Sequence, residues 1–317
     1  MSVYTRVEAD DLCALLAHYA VGELEDFAGI SAGVTNTNYF VDTSLGRWVL
    51  TLFEQVDESE LPFFMQLMDH LAGHGVPCAH PVARDDGGFL SRVRGRPAAL
   101  VYRLSGASET APGPDHCRSL GGVVAEMHRA VSGFTPVQKN ARNLDWVAAA
   151  ARRLNGLMDT AEHALLAEEI AFQQEAIGTL YAELPAAVVH ADLFRDNVLF
   201  DHARVSGLID FYYACHDYLL FDLAIICNDW AFGDDERYRP AFWQAFMHAY
   251  TRRRAPTDAE IAAWPAMLRA AALRFWASRL IDAYFPMSGE VVHIKDPAPF
   301  KRLLLAHREA APALVPA

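Results

Sequence analysis

His190-Ala191-Asp192-Leu193-Phe194-Arg195-Asp196-Asn197-Val198-Leu199-Phe200, with Ile209-Asp210-Phe211 shortly after it, is the stretch on which the fold turns. Val188-Val189 ahead of it reads as a short strand, and Asn197 to Asp201 and Val205 to Phe211 read as two more. Asp192 and Asn197 then lie on a loop, and Asp210 ends the last strand. A hairpin from Asn197 to Asp210 carries all three polar side chains to one end of a small sheet.

Phosphoryl transfer from ATP needs such a set. One carboxylate orients the attacking hydroxyl and accepts its proton, while a second carboxylate and an amide carbonyl hold magnesium against the phosphates. Magnesium takes oxygen ligands and keeps several waters, so two protein ligands suffice. The H-x-D-x-x-x-x-N order followed by D-F matches a kinase catalytic loop and its metal-binding acid.

Upstream, residues 1–104 read as mixed α/β. Thr5-x-x-Glu8 has the form of a capping box before Leu12, Leu15, Leu16 and Tyr19 at helical spacing. Strands are expected over Leu24–Ile30, Asn38–Thr43 and Trp48–Phe53, and a helix over Glu58–His74. Asp86-Gly87-Gly88 signals a hairpin whose second strand ends near Arg103. Residues 105–114 have linker chemistry, with a hinge at 101–106. From there 105–317 is mostly helical, with helices over Asp115–Val131, Leu144–Leu157 and Ala161–Leu184 and through most of 219–312. This is an α+β plan of a small β-rich lobe followed by a larger helical one.

Lys plus Arg is 27 and Asp plus Glu 40, a formal charge of -13, opposite to the balance of a general nucleic-acid binder. The five cysteines include no C-x-x-C pair, which argues against a disulfide framework or structural zinc and favours a reducing compartment. No membrane-length stretch is free of charge; Leu219–Phe232 holds Asp222 and Asp229. With no apolar leader after Met1, the expectation is a cytoplasmic protein with neither membrane nor nucleic-acid partner, as monomer or homodimer.

The loop motif, the Val49-Leu50-Thr51-Leu52-Phe53-Glu54 strand and Leu273-Arg274-Phe275-Trp276-Ala277-Ser278-Arg279-Leu280 together resemble the aminoglycoside-phosphotransferase-like kinases, and within them the bacterial homoserine kinase branch. The resemblance runs from about residue 28 to about 285. It implies a two-lobed, protein-kinase-like fold with an antiparallel-sheet N-terminal lobe for the nucleotide and a helical C-terminal lobe for catalysis. ATP and Mg²⁺ are the implied cofactors. Asp192 would position the acceptor hydroxyl as acid/base, and Asn197 and Asp210 would ligate the metal. His190 and Asp222 would brace the loop, with His128 in the helix packed beneath it. Gly33, Thr35 and Asn36 stand where the phosphate-covering loop should be, and Val101 and Tyr102 where the adenine-reading hinge should be. Thr51 occupies the position of the usual ATP lysine, leaving Arg47, Arg195 or the acceptor-side arginines to balance the phosphate charge.

Homoserine as acceptor calls for a guanidinium for its carboxylate and an acid for its ammonium. Arg279 first and Arg274 second are the candidates, with Asp217 and Tyr39 as further polar groups; packing salt bridges remain the other reading of the two arginines. The product would be O-phosphohomoserine, a threonine precursor. Two rivals stand beside this reading: a kinase for an aminoglycoside, choline or another small alcohol, and a catalytically silent nucleotide-binding regulator.

Overall fold

The computed structural model describes residues 5–30, 36–233, 237–286 and 295–315. The chain divides into two compact units, residues 1–106 with 206–212, and residues 107–205 with 213–317.

The first unit holds α1 (Ala9–Leu16), β1 (Leu24–Gly29), β2 (Thr37–Thr43), β3 (Gly46–Leu52), α2 (Leu61–Gly73), β4 (Leu90–Val93) and β5 (Arg96–Tyr102). The strands form one sheet in the order β1-β2-β3-β5-β4, every neighbouring pair antiparallel. Along β2, buried and half-buried residues alternate, as a strand with one covered face must. Its inward Tyr39 and Val41 join Trp48, Leu50, Leu52, Ala98 and Leu100 of the sheet, and Leu12, Leu15 and Leu16 of α1, in one core.

Two turn expectations shift. Glu8 is itself the N-cap of α1, and its N–H donates to Asp11 three residues on, while Thr5 N–H goes to the Thr37 hydroxyl. The hairpin turn is Arg94-Gly95, joining β4 to β5 with φ of 52° and 77°. That mirror-image geometry matches strand twist. Asp86-Gly87-Gly88 does turn, closed by Arg84 N–H to Gly88 O at 2.8 Å, but it lies ahead of β4 with no strand leading into it.

Residues 206–212 are stitched into the first unit. Leu208 N–H donates to Pro77 O at 2.8 Å, and Ala79 N–H returns to Leu208 O at 3.2 Å. A Cβ on Gly207 would stand 2.2 Å from Leu104 Cδ1, so any other residue here would have to displace that side chain. The Tyr212 ring packs edge-on to Phe53 at 5.1 Å and Phe64 at 5.8 Å.

The second unit runs through β6 (Ala107–Ser108), α3 (Pro114–Ala130), α4 (Leu144–Leu154), α5 (Thr160–Gly178), β7 (Ala186–Val189) and β8 (Val198–Asp201). β9 (Arg204–Leu208) leads into residues 206–212. The chain re-enters the second unit before β10 (Cys215–Tyr218), α6 (Leu219–Ile226), α7 (Pro240–Thr251), α8 (Asp258–Tyr284) and α9 (Ala298–Glu309). β6 and β10, both too short to show a periodic pattern, are additions to the sequence reading; β6 pairs with β8 and β10 with β7. Gly121 lets α3 touch α7: a Cβ there would lie 2.2 Å from Phe246 O. Among the described residues no helix is long and apolar enough to cross a membrane.

Candidate active site

The loop after β7 is held by Asp222, in the first turn of α6. This fully buried carboxylate accepts the N–H groups of His190 at 2.9 Å and Ala191 at 2.8 Å. Ala191 sits at φ 63°, a conformation alanine rarely takes, so Asp222 stabilises a strained loop entry. His128 Nε2 lies 3.2 Å from Asp222 Oδ2, and His128 Nδ1 lies 2.9 Å from the Tyr250 hydroxyl. Burial alone would raise the Asp222 carboxyl; the His128 hydrogen bond, the two imidazoles and the His190 N–H outweigh it and hold the group below its ordinary value. His190 is buried beside it.

Asn197 closes the loop on Asp192. Its side-chain NH₂ donates to Asp192 O at 2.7 Å and to Asp192 Oδ2 at 2.9 Å. The amide nitrogen is thereby committed, which points the carbonyl Oδ1 away as a hard oxygen donor of the kind magnesium takes. No cluster of three His, Cys, Asp or Glu side chains able to cage a metal exists among the described residues. The Asn197 carbonyl is a donor of the kind that suits an ion keeping waters and phosphate oxygens as its other ligands.

Arg274, on α8, faces the same acid: its guanidinium lies 3.9 Å from Asp192 Oδ1. It stacks over Phe275 at 3.7 Å with Tyr213 at 5.3 Å, and burial draws its pKa down. Arg279 is engaged elsewhere, donating to Asp296 O at 3.0 Å over the Phe300 ring at 4.3 Å. Of the two expected arginines, Arg274 comes within 4 Å of Asp192, while the Arg279 charge acts on Asp229, Asp296 and, more weakly, Asp192. Asp217 is already doubly bonded, accepting Asn140 Nδ2 at 2.6 Å and Tyr218 N–H at 2.7 Å, and burial raises its carboxyl.

Arg142 and Asn140 escaped the sequence reading. Arg142 N–H donates to Asn140 Oδ1 at 2.7 Å, and the Arg142 charge acts on both Arg274 and Asp282. They arrive from an irregular segment with no motif; the isolated cations and amides of 138–142 were the only signal.

The first unit carries the remaining expected residues. Asp210 stands at φ 63°. Thr51 is buried, its hydroxyl donating to Asn38 Oδ1 at 2.7 Å and bonded by Tyr212. That network uses the hydroxyl internally, so Thr51 puts no positive charge where a lysine was expected. Arg47 has Asp42 at 3.8 Å. Tyr39 is corrected: its hydroxyl donates to Thr5 O at 3.1 Å and accepts Val7 N–H at 3.0 Å, and the side chain is buried in the sheet core rather than presented to a substrate. Tyr102 N–H is spent on His80 O at 3.0 Å, and Val101 is buried in the ladder opposite Val49. An adenine edge read here would meet backbone carbonyls or the residues that follow. Asn36 is buried, and its Oδ1 has no hydrogen-bond partner among the described residues. Gly33 and Thr35 lie outside the described residues.

Comparison with known proteins bears on this arrangement. The family model described as phosphotransferase enzyme family matches residues 26–256. A homoserine kinase of Methylobacillus flagellatus is 48% identical over 96% of this chain and 94% of its own. The homoserine kinase of Neisseria meningitidis serogroup B is 43% identical over 96% and 99%. Among solved structures, an amicoumacin kinase in complex with AMP-PNP, Ca²⁺ and Ami superposes with a TM-score of 0.73 at 14% identity, covering 98% of this chain and 96% of that one. A spectinomycin phosphotransferase bound to ADP and spectinomycin gives 0.68 at 13% identity, covering 96% and 100%. At such identities these two structures show the fold alone: a kinase-like α+β chain with an N-terminal five-stranded sheet and a mostly helical remainder.

Proposed function

The chain belongs to the phosphotransferase enzyme family and is a homoserine kinase that binds ATP, and on that premise we propose how its residues divide the reaction. Asp192 is the acid/base. Asn197 pins Oδ2, so Oδ1, the oxygen turned toward Arg274, receives the hydroxyl proton of homoserine as the γ-phosphoryl is attacked. Arg274 takes the homoserine carboxylate, and Asp217 and Asp282 are the acids offered to its ammonium. Asn197 and Asp210 would each serve as a magnesium ligand, and the ion when bound would supply charge screening for the phosphates. The rate then comes from positioning and charge stabilisation without a covalent enzyme intermediate.

The single observation that carries this reading is the approach of a buried guanidinium to a carboxylate already pinned by an amide. A buried cation beside a general base suits an acceptor that brings its own anion. Aminoglycosides and choline bring cations instead, and the Arg274 environment disfavours them. The cytoplasm is the proposed compartment, where ATP and free homoserine meet.

The test is ADP release by purified protein with Mg·ATP and L-homoserine, L-serine, choline, an aminoglycoside or no acceptor. Dependence on L-homoserine above all others is expected. Equal turnover of choline or an aminoglycoside would overturn the acceptor assignment. ATP binding without turnover on any acceptor would favour the silent regulator.

A further inference from the structure

After α6 the helix widens into a π-helical turn, Cys227–Ala231. Such turns are rare overall and frequent at functional sites. Two consecutive residues of this one bind the catalytic loop. Asp229 Oδ2 accepts the N–H of Arg195 at 2.8 Å, and its two oxygens take Arg195 Nε and NH2 at 3.3 Å each. Trp230 Nε1 donates to Leu193 O at 3.1 Å.

Asp222 holds the loop entry at residues 190 and 191, and Asp229, seven residues further, holds its exit. That separation is about 10 Å along a helix. It bridges the ends of a loop whose middle residue is Asp192. Arg195 opens the 3₁₀ turn Arg195–Asn197, so the carboxylate on its N–H fixes the turn whose last residue faces Asp192 and, in the reading above, the metal. The Asp229 carboxylate is mostly buried, at 14% exposure, and Trp230 is buried. A surface ion pair would leave the turn free to fray; a carboxylate that also binds the backbone does not.

We propose that Asp229 is a positioning residue for phosphoryl transfer: delivered by the π-helical turn and shared between the Arg195 backbone and guanidinium, it sets the orientation of Asn197 toward Asp192 and the metal. The proposal rests on Asn197 as a metal-facing residue. Asp229 does not touch substrate; it acts through the 195–197 turn.

The experiment compares Asp229→Asn, Asp229→Ala and Asn197→Ala with wild type. It measures kcat, homoserine KM, the Mg²⁺ activation constant, and direct binding of Mn²⁺ in the presence of ADP by electron paramagnetic resonance. Loss of an outer partner typically weakens a metal site 10- to 100-fold. Asp229→Ala should therefore weaken Mn²⁺ binding and raise the Mg²⁺ activation constant by about 10-fold or more, with homoserine KM nearly unchanged. Asp229→Asn keeps an acceptor for the Arg195 N–H and should fall between. It also serves if the alanine variant does not fold. Folded Asp229 variants with wild-type kcat and Mn²⁺ binding, while Asn197→Ala loses Mn²⁺, would overturn the proposal alone. Asn197→Ala with unchanged Mn²⁺ binding would overturn the metal reading and the proposal with it. Lower thermal stability with an unshifted metal dependence would mark Asp229 as structural only and also overturn it.

Discussion

Asn197 donates its side-chain amide to both the backbone and the carboxylate of Asp192, at 2.7 and 2.9 Å. One residue thus fixes the rotamer of Asp192 and turns its own carbonyl outward. Asp192→Asn would keep the volume and an acceptor for this bond but could not take a proton. General-base removal costs about 10²- to 10⁴-fold, so kcat should fall within that range, with unfolding midpoint and ATP affinity close to wild type. Steady-state kinetics alongside urea unfolding reads both, and turnover within a few-fold of wild type would defeat the assignment of Asp192.

Arg274→Ala should raise homoserine KM far more than Arg279→Ala. Charge-assisted hydrogen bonds contribute about 1.5–3 kcal/mol, a factor of roughly 10–150 in KM. Arg279 spends its guanidinium on Asp296 O and Phe300, so its loss should change KM only a few-fold. Arg274→Lys keeps the charge without the fork and should recover part of the affinity. A larger KM effect at Arg279 than at Arg274 would restore the opposite ranking.

The loop was legible because its residues are contiguous: H-x-D-x-x-x-x-N states both identity and spacing, and Asp210 follows one hairpin later. Tyr39 was misread as an acceptor-side group, although a second rule pointed elsewhere. Alternation along β2 points it into the core with Val41, and that period outweighs a polar hydroxyl beside Asn38. Arg94-Gly95 and Asp86-Gly87-Gly88 are both good turn sequences, and only the strands on either side separate them. What no local pattern carries is convergence. Asn140 and Arg142 reach the site from an irregular segment, Tyr212 bonds Thr51 from 161 positions away, and an apolar run such as 219–232 does not reveal that its hydrogen bonds widen at Cys227.

Asp222→Asn should be among the most destabilising single changes in the second unit. Its two oxygens accept two N–H groups from the loop, and an asparagine must present NH₂ to one of them. Breaking a buried charged network costs about 3–5 kcal/mol. The folded carboxyl lies below its ordinary value, so its contribution is present above about pH 4 and fades as pH falls further. Urea unfolding at pH 7 should show the loss in full, and an Asp222→Asn protein within 1 kcal/mol of wild type there would contradict this account, since that is about the scale of an ordinary single change.

His307 predicts a separate loss of stability on mild acidification. The ring is buried on α9; Nε2 lies 2.7 Å from Asn228 Oδ1, Phe232 packs edge-on at 5.3 Å, and Nδ1 has no hydrogen-bond partner among the described residues. Protonation would add a charge and a second N–H with no acceptor, and burial accordingly draws the pKa from 6.5 to about 4. Above pH 6.5 neither the folded nor the unfolded chain protonates this residue, and its contribution is fully present. Between 6.5 and about 4 the unfolded chain takes up a proton that the folded chain refuses, so stability falls with pH. The loss by pH 4 amounts to roughly 3 kcal/mol at 1.36 kcal/mol per pKa unit. Gln at 307 can still donate to Asn228 but does not titrate. The stability difference between wild type and His307→Gln, measured by urea unfolding at steps from pH 7 to pH 4, should therefore move by about that amount in favour of the variant. A difference that stays constant across the range would show that His307 is solvated or protonated in the folded protein.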